Sequence, residues 1–105
     1  MTDKRLVLST AGSEEEAQKI ARHLVDQRLA ACVNIVPQIE SVYLWQGKVE
    51  SSREWLLVIK TTAEKFPGVC AAIRDVHSYE LPECIALAID DGSPAYLEWI
   101  GESVG

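Results

Sequence analysis

Imidazole, phenol and two carboxylates fall within seven residues at His77-Ser-Tyr79-Glu80-Leu-Pro82-Glu83. Imidazole nitrogens and carboxylate oxygens ligate divalent metals, and the same groups pass protons as general acid and base. A metal reading takes His77, Glu80 and Glu83 as ligands, whereas an enzyme reading takes His77 with Glu80 or Glu83 as an acid and base pair. The segment also fits a plain helix terminus. A histidine in a last turn bonds free carbonyls and complements the dipole, Pro82 stops the helix, and the glutamates become solvent or interface charges. No H-x-x-x-H or C-x-x-C spacing accompanies the cluster, which weights these residues toward structure.

Aromatic, cationic and thiol side chains add further candidates. Tyr43, Trp45, Trp55, Tyr79, Tyr96 and Trp99 could line a pocket or clasp a neighbouring subunit, since such rings bury large area and keep a polar tip to pair. Lys60 could meet an anion or pair with a carboxylate such as Glu83. Cys32, Cys70 and Cys84 are odd in number, each within an apolar stretch, and so read as core thiols rather than a disulfide framework. The chain contains no Walker loop, G-x-G-x-x-G, G-x-S-x-G elbow or zinc spacing.

These residues need a scaffold, and 105 residues provide one domain, 1–105. Hydrophobic residues make up 48% and charged residues 25%, with six glycines and four prolines, the mix of a packed fold rather than of disorder. Sixteen acidic against ten basic residues give a net charge of −6, which argues against nucleic acid and anionic membrane as partners. No apolar run approaches the roughly 18 residues of a membrane span, and the start lacks a signal-peptide pattern, so a cytoplasmic protein is expected.

Leu6 to Ser9 reads as a strand. Ser13 and Glu16 form a capping box, and Ala17, Ile20, Ala21, Leu24 and Val25 make one face of a four-turn helix. Cys32 to Ile35 starts a second strand that Pro37 marks for an edge or a bulge. The arms Ile39 to Trp45 and Val49 to Trp55 flank Gln46-Gly47-Lys48, read as a three-residue loop closing a long β-hairpin. An apolar run to Ile59 follows. A second helix, with Thr61 or Thr62 as cap, carries Phe66, Val69, Cys70, Ile73, Val76 and His77 inward. Strand Cys84 to Ile89 and a short C-terminal helix with Tyr96, Leu97, Trp99 and Ile100 complete the chain.

The order βαββαβ is that of the α+β ferredoxin-like fold, an antiparallel sheet with both helices on one face. Yet Leu6 to Leu8, Trp55 to Ile59 and Cys84 to Ile89 are apolar at successive positions, hence on both faces. Each such side chain is worth about 1.5–3 kcal/mol when buried, a large share of a marginal stability of roughly 5–15 kcal/mol. The second face therefore calls for another copy of the chain, and pattern alone does not set the copy number.

The segments Leu29-Ala-Ala-Cys-Val-Asn-Ile35, Ser41-Val-Tyr-Leu-Trp-Gln-Gly-Lys-Val-Glu50, Leu57-Val-Ile-Lys-Thr-Thr62, His77-Ser-Tyr-Glu-Leu-Pro-Glu83 and Tyr96-Leu-Glu-Trp-Ile100 resemble, in order and over essentially the whole chain, those of the CutA divalent-cation tolerance proteins. The resemblance implies a compact homotrimer of ferredoxin-like subunits, similar in shape to the PII signalling proteins, with the long hairpins crossing between neighbours. It further implies a non-enzymatic role in metal homeostasis, with Cu(II) or another divalent cation as ligand and no organic cofactor. An alternative is a PII-like regulator or scaffold that binds a small ligand or a protein partner. Members for which copper binding is proposed carry a cysteine near the end of the first strand and a histidine pair before Tyr-x-x-Pro-Glu; here those positions hold Ser9, Val76 and His77. Trp45, Lys60, Tyr79, Tyr96 and Trp99 match positions that the resemblance puts around an intersubunit cleft, with Glu80 and Glu83 beside them.

Overall fold

The computed structural model describes residues 2–105. The elements are β1 (Lys4–Ala11), α1 (Glu14–Asp26), β2 (Cys32–Trp45), β3 (Lys48–Thr62), α2 (Phe66–Val76), β4 (Ile85–Ala88) and α3 (Pro94–Val104). The four strands form one antiparallel sheet in the order β2-β3-β1-β4, the ferredoxin-like arrangement expected from the element order.

Alternation along β1 and β3 sorts the apolar runs by face. Val7, Leu57 and Ile59 point to α1 and α2 and are fully buried with Ile20, Leu24, Val69 and Ile73. Leu8, its partners Val58 and Ile85, and the Leu6–Leu87 pair fall on the other face. Two covering helices do not exhaust the chain's own resources, because α3 lies over the end of that second face. Its Tyr96 ring centroid is 5.9 Å from Lys60 Nζ, and Gly101 lies against the Lys4 side chain. What stays open is a strip that includes Ile85 and Leu87, 53% and 47% exposed.

Several boundaries differ from expectation for identifiable reasons. The hairpin turn has two residues, not three: Trp45 pairs with Lys48, and Gln46 and Gly47 both take left-handed φ values, 51° and 81°. This is the type I′ geometry whose twist matches the flanking strands. Pro37 does coincide with a bulge, a register shift between Val36 and Ile39 on edge strand β2, where Gln38 has φ 57°. Neither threonine caps α2 as an N-cap. Thr61 Oγ1 donates to Leu29 O at 2.6 Å, and Lys65 occupies the cap position without a side-chain bond. His77 sits just past α2 in an extended conformation. Strand β4 spans only Ile85–Ala88, and α3, at 11 residues, equals α2 in length.

Candidate functional site

The β2–β3 hairpin and the 79–83 segment flank a cleft of about 650 Å³. Trp45, Tyr43 and Glu40 come from β2, Glu54 from β3, and Tyr79, Glu80 and Glu83 from the segment after α2. Four of the lining residues are glutamates and none is lysine, arginine or histidine.

His77, Ser78 and Tyr79 are each held by a partner far away in sequence. His77 is buried; Tyr79 N–H donates to its Nδ1 at 3.0 Å, and its Nε2 lies 2.6 Å from Thr10 O. A carbonyl only accepts, so these contacts assign the tautomer with the proton on Nε2. Both nitrogens are thereby committed, one to each backbone partner. Glu16 reaches across from α1 and accepts from Ser78 N–H at 2.8 Å and Ser78 Oγ–H at 3.1 Å. Of the expected capping box only half forms at Ser13, whose Oγ accepts from Glu16 N–H at 3.1 Å, while the Glu16 carboxylate serves Ser78 instead. Burial raises the Glu16 pKa, but the two Ser78 hydrogen bonds outweigh it and hold the carboxyl below its ordinary value.

Tyr79 O–H donates to Glu54 Oε2 at 2.8 Å, and Glu54 is only 7% exposed. Burial and then the Glu54 carboxylate push the Tyr79 phenol upward, which keeps it a proton donor at neutral pH. Glu83 is raised by burial first and by the charge of Glu54 second. Two carboxylates thus feel each other in a cleft that offers no cationic side chain. Ser9 takes a structural part, its Oγ–H donating to Glu83 O at 2.7 Å and fixing the entry to β4.

The residues singled out in the sequence divide into two places. Trp45, Tyr79, Glu80 and Glu83 line the cleft, with His77 behind them as a support. Lys60, Tyr96 and Trp99 gather on the α3 side of the sheet, the two rings 5.4 Å apart. Lys60 pairs with Asn34 Oδ1 at 2.6 Å, in place of the expected partner Glu83. Tyr43, one of the aromatic residues singled out as able to line a pocket, does so, whereas Glu40 and Glu54 belong to the cleft without having been expected there. Glu54 carried a usable signal, as the acidic residue that opens an aliphatic run in β3. Among the described residues no three His, Cys, Asp or Glu side chains converge closely enough to enclose a metal ion, and no helix is long and apolar enough to cross a membrane.

Comparison with known proteins agrees with this architecture. The family model for CutA1 divalent ion tolerance protein matches residues 5–103. The divalent-cation tolerance protein CutA of Thermus thermophilus is 47% identical over 97% of this chain and 99% of its own, and the solved structure of that organism's protein superposes with a TM-score of 0.95. A solved structure from Archaeoglobus fulgidus, described as a periplasmic divalent cation tolerance protein CutA, is 41% identical with a TM-score of 0.94, over 97% of this chain and 99% of its own. The human protein CutA is 46% identical over 87% of this chain, which spans 51% of that longer relative. From sequence pattern, fold and these matches together, the chain belongs to the CutA1 divalent ion tolerance family.

Proposed function

We propose that this chain is a non-enzymatic divalent-cation tolerance protein, a single-domain cytoplasmic unit that works as a homotrimer and takes up a cation in the cleft between hairpin and 79–83 segment. The observation that carries the reading is a cleft lined by four glutamates without a basic side chain, in which the Glu54 charge adds to burial in raising Glu83. A dication relieves that repulsion. Glu83 is the principal ligand, with Glu54 and Glu80 beside it. His77, with both nitrogens bonded to backbone, supports the segment rather than offering a free lone pair, which also weakens an acid/base reading with Glu80 or Glu83.

The donor set is oxygen, so it suits a hard cation such as Mg(II), Ca(II) or Mn(II) better than Cu(II), which favours imidazole and thiolate. One chain supplies too few ligands for a closed shell, and a second copy packed on the open sheet strip would supply more. That incompleteness favours the intersubunit site.

The test is native mass spectrometry during manganese, zinc and copper titrations. We expect a trimer that binds manganese with an affinity reduced at least tenfold in both Glu54→Gln and Glu83→Gln, and less affected in Lys60→Ala. A bare trimer, or binding indifferent to both glutamates, would refute the site. A second reading rests on Tyr96 and Trp99, both 43% exposed with Lys60 above Tyr96. This platform has the character of a docking place for a small anionic ligand or a protein, as in a PII-like regulator, and loss of a partner in Trp99→Ala with intact cation binding would favour it.

A further inference from the structure

Cys70 and Cys84 bring their sulfur atoms to 2.7 Å, Cys70 Sγ–H donating to Cys84 Sγ. Cys70 lies within α2 and Cys84 directly ahead of β4, and both are partly exposed. Neither lines the cleft. Thiols that only fill core space have no reason to meet, yet these sulfurs stand within about 0.7 Å of the ~2.05 Å covalent separation. A metal ion bound by both at about 2.3 Å in tetrahedral geometry would hold them roughly 3.8 Å apart, so the pair is drawn closer than ligation asks.

We propose that Cys70 and Cys84 form a reversible intramolecular disulfide that staples the segment carrying His77, Tyr79, Glu80 and Glu83. The bridge joins positions 14 apart, and every side chain that this segment lends to the cleft lies inside the ring it closes. The oxidant is a low-molecular-weight disulfide. The thiolate of one cysteine attacks it, breaking its S–S bond and releasing one small thiol; the other then attacks the mixed disulfide, forms the Cys70–Cys84 bond and expels the second. Two electrons pass from the protein sulfurs to the small disulfide, and the two thiol protons end on the released thiols.

Cys32 is an internal control, placed opposite Lys60 on β2. Cleavage after lysine and arginine separates the three sulfurs into peptides 29–48, 66–74 and 75–105. The full chain, treated with excess oxidised glutathione, should lose about two mass units as two hydrogens leave, with 66–74 linked to 75–105 and Cys32 still alkylated. Amide exchange over 77–83 should slow severalfold and recover with dithiothreitol. In Cys84→Ser the reaction should stop at a glutathione adduct on Cys70. Three thiols that stay reactive, separate adducts on Cys70 and Cys84 in the unaltered chain, or a link to Cys32 would overturn the pairing. A formed link that leaves 77–83 exchange unchanged would overturn the staple, and an unmodified Cys70 in Cys84→Ser would overturn the exchange through a mixed disulfide.

Discussion

Glu16 shows how one carboxylate acts across the molecule rather than within its own helix. It caps the backbone of Ser78, 62 positions away, and so holds the 77–83 segment against the start of α1. Glu16→Gln should cost about 1.5 kcal/mol, the usual worth of a charge-assisted hydrogen bond, measured by urea denaturation. The pH dependence has a definite sign. Because the folded pKa is lowered from 4.5, the contribution of Glu16 is full above that value and fades as pH falls through the folded pKa. The difference between parent and Glu16→Gln should therefore close in acid. Glu83 behaves in the opposite sense, since its raised pKa would let protons compete with the proposed cation from a higher pH than an ordinary glutamate would.

Among the elements, β1, α1 and β3 were legible because their periodicity is strong and core packing agrees with it. The hairpin was legible as a hairpin but not in its turn, since Gln46 at φ 51° is a residue that seldom adopts a left-handed conformation. Replacing Gln46 with Asn, the preferred residue there, should stabilise the protein by roughly 0.5–1 kcal/mol, and Gly47→Val should destabilise it by about 1–2 kcal/mol, both read from thermal unfolding. The cleft was only half legible. Tyr79, Glu80 and Glu83 are neighbours in sequence, whereas Glu40 and Glu54 reach them only through the hairpin register that pairs Ile39 with Glu54. The coverage given by α3 was missed for a similar reason: its path back over the sheet is set by the loop before it, not by its own apolar stripe.

On the scale of the whole molecule, the open sheet strip is the feature with the largest consequence for assembly. Leu87, half exposed on β4, has no function within one chain beyond pairing with Leu6. Leu87→Asp should leave a folded chain but shift the proposed trimer to monomer in native mass spectrometry, whereas Val58→Asp, nearer the sheet centre, should also lower solubility. A folded trimer from Leu87→Asp would place the interface elsewhere. The pairing of β1 with β4 carries a further consequence, in time rather than in space. The β2–β3 hairpin closes over a two-residue turn, but β4 must find β1 across about 80 residues, as in the contact of Thr2 Oγ1 with Ile89 O, 87 positions apart. Local pairings form before distant ones. On an emerging nascent chain the hairpin wall of the cleft is thus ready early, and the opposite wall exists only once the last quarter of the chain has been made.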